Sequence, residues 1–174
     1  MLQQNIKMQN IFLIGMMGSG KSYIGNLLAH KMGLPFFDID IEIEKIMDIS
    51  IDEIFKNYGE ERFRLIEKAL FREMSKNSNF VYATGGGIVL DKENQAILTK
   101  NGISIFLDCS IDLIIKRINK QGNRPLYKDK ESLELIYDKR KQLYLDCSDF
   151  KINVNSKTSN EIINNIEQII NEKN

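Results

Sequence analysis

The sequence predicts an α/β fold of three layers, with a central five-stranded parallel sheet between helices. Three observations lead there. Short strand-forming runs alternate with segments of helical period along the chain. One such run, Ile11 to Ile14, leads through a glycine-rich loop directly into a helix. The other glycine-rich and acidic stretches also follow strands, where open parallel sheets collect their ligands.

The elements follow in order. Residues 10–14 form the first strand, and a helix runs from about 21 to 31 until Gly33-Leu34-Pro35 breaks it. Residues 35–38 (PFFD) form a short second strand. Helices follow at about 40–47 and 51–58, the latter with Ser50 and Glu53 as a capping box. Gly59 ends that helix and another covers 60–75. Residues 80–83 form a third strand that stops at Thr84-Gly85-Gly86-Gly87. A helix at 91–100, a fourth strand at 103–107 and a helix from Ser110 to about 118 come next. Residues 119–130 lack an apolar period and contain Gly122 and Pro125, so they read as a loop. A helix at about 131–145 and a fifth strand at 150–154 precede the last helix. Thr158 and Glu161 cap it, and Ile162, Ile163, Ile166, Ile169 and Ile170 share one face.

Composition narrows the chemistry. The 174 residues suit one domain, 1–174, and no repeat or linker divides them. Lysine and arginine number 24, as do aspartate and glutamate, so no global field favours nucleic acid or an anionic membrane. Apolar runs are too short to cross a bilayer, and residues 1–9 lack the apolar centre of a secretory signal, so a cytoplasmic protein is expected. Cys109 and Cys147 belong to no metal-spaced cluster and are expected to be inert thiols. His30, the only histidine, falls near a helix end without a nucleophile beside it. Thiol-protease, serine-hydrolase and zinc chemistry lack their parts. No interface signal stands out, so a monomer is expected.

The loop Gly15-Met16-Met17-Gly18-Ser19-Gly20-Lys21-Ser22 matches G-x-x-x-x-G-K-[ST] in full, with the required strand before it and helix after it. Glycines let the backbone approach phosphates closely, and the helix N-terminus attracts their charge. Lys21 would reach the β- and γ-phosphates and Ser22 would bind Mg²⁺. A nucleoside triphosphate is the expected ligand. The loop does not say what becomes of its phosphate.

Other post-strand residues bear on the acceptor. In an extended Asp38-Ile39-Asp40, both carboxylates would face one site, one near a metal-bound water and one on an acceptor hydroxyl. The same residues equally read as a strand end at Asp38 and a cap of the next helix at Asp40. Asp108, after the fourth strand, is a rival metal-side acid in a Walker B position, and spacing alone does not choose. Gly85-Gly86-Gly87 would expose amides to an anion. Arg64, among Glu60, Glu61 and Glu67, reads as a surface ion pair or as a fork for a substrate carboxylate, and Arg140, between Lys139 and Lys141, reads as part of a solvated face or as a second such fork. Arg124 sits in a basic loop that either closes over the nucleotide or is a solvated linker.

Taken together, GMMGSGKS at 15–22, FFDID at 36–40, GEERFRLIE at 59–67, TGGG at 84–87, NRPLY at 123–127 and RKQLY at 140–144 resemble the shikimate kinase family in order and spacing. The resemblance implies a P-loop kinase fold with a mobile lid at about 119–130 and a shikimate-binding helical region at about 40–75. It implies transfer of the γ-phosphoryl group of ATP to the 3-hydroxyl of shikimate, with Mg²⁺, in aromatic amino-acid biosynthesis. It puts Asp40 on the shikimate hydroxyls, Arg64 and Arg140 on its carboxylate, and Gly86 at the substrate through its backbone. Asp38 then belongs near Mg²⁺ through water, beside Ser22. Gly18, Ser19, Gly20, Lys21, Ser22 and Tyr23 take the ATP phosphates, Arg124 contacts them from the lid, and Arg117 packs on adenine. Lys21, Asp40 and Arg124 form the implied catalytic set. Two departures stand out: Tyr23 replaces the frequent threonine, and residues 155–160 lack the frequent proline. The rivals are a gluconate or nucleoside-monophosphate kinase, and a regulatory module that senses or hydrolyses ATP.

Overall fold

A computed structural model describes residues 9–121 and 129–173, with side chains left out at 120, 121 and 173. Five strands, β1 (Asn10–Ile14), β2 (Phe36–Asp38), β3 (Val81–Ala83), β4 (Gly102–Asp108) and β5 (Phe150–Asn153), form one sheet in the order β2-β3-β1-β4-β5. Every neighbouring pair is parallel, with Leu13 opposite both Ala83 and Ile105. All five residues of β1 are buried, as a central strand covered on both faces requires. Phe12 illustrates the packing, stacking on Tyr82 and meeting Phe71 edge-on.

The helices are α1 (Lys21–Met32), α2 (Ile39–Met47), α3 (Ile51–Met74), α4 (Lys92–Lys100), α5 (Ile111–Gln121), α6 (Lys130–Asp146) and α7 (Ser159–Lys173). Gly33 ends α1 in the left-handed region, and the expected Ser50–Glu53 box starts α3. Gly59, with φ 78° and ψ 167°, interrupts α3 where two helices were expected to part. A 3-10 turn at Ile88–Leu90, not foreseen, carries the chain from the glycine run to α4. His30 is exposed in the last turn of α1, and its place at a helix end agrees with its expected role. Both cysteines are free and buried, and burial pushes both thiols up, which keeps them protonated. No helix among the described residues is long and apolar enough to cross a membrane.

One local expectation needs correcting. Asp38 to Asp40 is not an extended run: Asp38 ends β2, while Asp40 already lies in the first turn of α2. Nor does Asp40 cap that helix. Asp38 does so, its Oδ1 accepting from the amides of Asp40 at 3.0 Å and Ile41 at 3.3 Å. The cap satisfies otherwise orphaned amides and turns the chain into helix at once.

Candidate active site: two cavities with a common wall

The expected phosphate loop lies between β1 and α1, at the carboxyl edge of the sheet. Gly18 and Gly20 have φ of 72° and 101°, a region that glycine enters without strain. Gly20 caps α1 without a side chain, so the first amides of the helix stay available to an anion. Lys21, 7% exposed, folds its Nζ over the loop and donates to the carbonyls of Gly15 at 2.9 Å and Met16 at 2.8 Å. Ser19 is 1% exposed, and its Oγ has no hydrogen-bond partner among the described residues. A buried unmatched hydroxyl here suits a phosphate oxygen. Arg117 of α5 donates through Nη1 to the carbonyls of Gly18 at 3.1 Å and Ser19 at 2.9 Å.

The larger cavity opens on this loop. Gly18 to Ile24, Arg117 and Thr84 line it, together with Lys157, Ser159 and Ile162 at the start of α7. None of the last three was read as a site residue in the sequence, where Ile162 counted only toward the apolar face of the last helix. Ser159 and Ile162 lie in the first turn of α7, and Lys157 just before it, where the missing proline drew attention but no residue type announced a contact.

A second cavity adjoins it. Arg64 from α3 and Arg140 from α6 both line this one, with Phe55, Phe63 and the three glycines Gly85, Gly86 and Gly87. The two arginines therefore converge, which spacing could not show. The glycines are needed for room. A Cβ on Gly85 would collide with Glu67 and one on Gly87 with the Arg64 guanidinium, while one on Gly86 would come 3.1 Å from the Met17 amide. Met17, Asp40 and Gly86 belong to both cavities and form their common wall.

The charges are arranged around Arg64. It donates to Glu67 Oε2 at 2.8 Å through Nη1 and to Glu60 Oε1 at 3.1 Å through Nη2. Burial opposes its charge, but Glu67 and Glu60 outweigh that and hold the guanidinium above its usual value. Arg140 is 6% exposed, and its Nη1 has no hydrogen-bond partner among the described residues. An under-satisfied buried guanidinium beside an ion-paired one calls for an anion.

Glu67 is the acid that sequence reading passed over as merely a partner for Arg64. It is 1% exposed, and burial pushes its carboxyl up to about 7, against the pull of Arg64 and with the help of the Asp40 charge. The folded value lies above the ordinary 4.5, so folding favours the protonated form. That contribution is complete below pH 4.5 and is lost as pH rises through about 7. Glu67→Gln removes it. The stability of the native chain relative to this variant, from urea midpoints, is expected to fall across that window. A constant difference would contradict the assignment.

The rival acids are also separated. Asp108 accepts from the Tyr137 hydroxyl at 2.8 Å and lies 3.6 Å from Lys151 Nζ. Asp38, 6% exposed, ends the strand beside β3, whose next residue, Thr84, lines the larger cavity. The expected loop at 119–130 is shorter, since 119–121 continue α5 and Lys130 starts α6; residues 122–128, with Arg124 and the NRPLY stretch, lie outside the described residues.

Comparison with known proteins settles the family. A family model described as shikimate kinase matches residues 17–171. The chain belongs to the shikimate kinase family. A shikimate kinase of Persephonella marina is 39% identical over 160 residues, which cover 91% of this chain and 97% of that one. One from Caldicellulosiruptor saccharolyticus is 44% identical over 149 residues, covering 84% and 86%. Among solved structures, a shikimate kinase from Acinetobacter baumannii in complex with shikimate is 31% identical with a TM-score of 0.91, covering 95% of this chain and 94% of that one. The fold and order of elements in this chain are thus those of a shikimate kinase.

Proposed function

We propose that this chain transfers the γ-phosphoryl group of ATP to the 3-hydroxyl of shikimate, giving ADP and shikimate 3-phosphate for aromatic amino-acid biosynthesis. One observation carries the reading: the phosphate-loop cavity and the two-arginine cavity share Met17, Asp40 and Gly86. A nucleotide in the first and a carboxylated polyol in the second meet at that wall. Such closeness turns a bimolecular reaction into an oriented one.

Each residue then has a task. The loop amides and Lys21 hold the β- and γ-phosphates, Lys21 exchanging its two carbonyl contacts for phosphate oxygens. Arg140 and Arg64 take the shikimate carboxylate. Asp40, on the common wall, orients the attacking hydroxyl and accepts its hydrogen bond or proton. Gly86 meets the substrate through its backbone. Arg117 and the start of α7 border the adenine side, and Arg124 adds charge from a lid.

The oxygen donors present suit magnesium. Ser22 lies in the first turn of α1 and lines the phosphate-loop cavity, Asp38 ends β2 at the carboxyl edge, and no group of three or more acidic, histidine or cysteine side chains capable of holding a metal occurs among the described residues. Magnesium commonly takes one or two protein oxygens, with phosphates and waters completing its shell. When bound it neutralises phosphate charge during transfer. We assign Ser22 as a direct ligand and Asp38 as a contact through water. Asp38→Asn is expected to raise the magnesium concentration needed for half-maximal rate several-fold, and Asp108→Asn to leave it unchanged. The reverse pattern would exchange the two roles.

The expected state is a monomer, and the expected compartment is the cytoplasm. The reading is tested by ADP release from ATP-Mg²⁺ with shikimate, gluconate and nucleoside monophosphates as separate acceptors. Shikimate is expected to stimulate release strongly. Stimulation by gluconate or a nucleoside monophosphate alone would replace the reading.

A further inference from the structure

Tyr144 lies one turn after Arg140 on α6 and is fully buried. Its ring stacks on Phe106 of β4, with centroids 5.1 Å apart and planes 23° from parallel. A core tyrosine could end its role there. Its hydroxyl, however, donates to the carbonyl of Gly86 and lies 3.6 Å from Met16 Sδ. One side chain thus joins the glycine run, the phosphate loop and the helix turn that carries Arg140.

The direction of that bond matters. Tyr144 lines neither cavity, whereas Gly86 and Gly87 line the two-arginine cavity. The Gly86 carbonyl is therefore turned toward the buried Tyr144 hydroxyl. A trans peptide is planar, with its N–H opposed to its C=O. The Gly87 amide is consequently directed opposite to that carbonyl.

We propose that Tyr144 is a positioning residue for the acceptor: its hydroxyl fixes the Gly86–Gly87 peptide so that the Gly87 amide is presented to shikimate in register with Arg140. The proposal rests on the shikimate kinase reading above. Burial pushes the phenol up to about 12, against the favourable charge of the Arg140 guanidinium, so the hydroxyl remains a donor through neutral pH.

Tyr144→Phe keeps the ring and its stack but loses the hydroxyl. Its KM for shikimate is expected to rise about tenfold, the scale of one lost hydrogen bond to an oriented group, with the KM for ATP and the thermal midpoint nearly unchanged. A lowered midpoint with both KM values unchanged would make Tyr144 a packing residue and overturn the proposal. So would equal losses toward both substrates. The native enzyme is run alongside. Absence of shikimate-dependent turnover there defeats the functional reading itself, whereas normal turnover with an unaltered variant defeats only the positioning role. A measurement on the native chain guards against a variant that does not fold. With tyrosine labelled at 13Cζ, saturating shikimate should shift the Tyr144 resonance and ADP-Mg²⁺ should not. An unmoved resonance overturns the proposal.

Discussion

Lys21→Met is expected to lower turnover by about a thousandfold, the scale seen when one preorganised group that stabilises transition-state charge is removed. The phosphoryl group in flight spreads negative charge over its oxygens, and Lys21 is the buried cation of the loop that holds it. Folding should suffer much less. The lysine satisfies the carbonyls of Gly15 and Met16, and their loss as acceptors costs about 1–3 kcal/mol. Single-turnover transfer and the thermal midpoint, measured together, separate these effects. A variant that keeps more than about a tenth of native turnover would remove Lys21 from the catalytic set.

Arg140→Met is expected to act on the other substrate. A charge-assisted fork to a carboxylate in a desolvated pocket contributes about 3 kcal/mol, so KM for shikimate should rise about a hundredfold while ATP binding stays near native. Stability should move little or even rise. Arg140 is 6% exposed with an unsatisfied Nη1, and an apolar side chain of similar length relieves that buried charge. Weaker nucleotide binding with unchanged use of shikimate would show that the arginine serves ATP instead.

The phosphate loop was fully legible because its function is local. Eight consecutive residues, with a strand before and a helix after, specify the cradle, and the chain has little choice about its shape. The strands and helices were legible for the same reason, down to the Ser50–Glu53 box. Gly59 was read correctly as a break, and its φ of 78° explains why only glycine is comfortable there.

What spacing could not supply was convergence. Arg64 and Arg140 belong to α3 and α6, and only the packed sheet brings them into one cavity. Glu67 was visible as an ion-pair partner at i+3, yet nothing local distinguishes a solvated glutamate from one that is 1% exposed. Asp38-Ile39-Asp40 misled in a different way. Period-two logic assumed a strand that Asp38 itself terminates by capping α2. Asp40 still reaches the common wall, but from the first turn of a helix.

The central claim is that the two cavities are halves of one phosphoryl-transfer site. Phosphorus and proton NMR of a mixture containing the enzyme, ATP-Mg²⁺ and shikimate tests it most directly. The expected result is a new phosphomonoester coupled to the proton on C3 of the ring, formed in equal amount with ADP. ADP and free orthophosphate released at the same rate with or without shikimate, and no phosphomonoester, would contradict it.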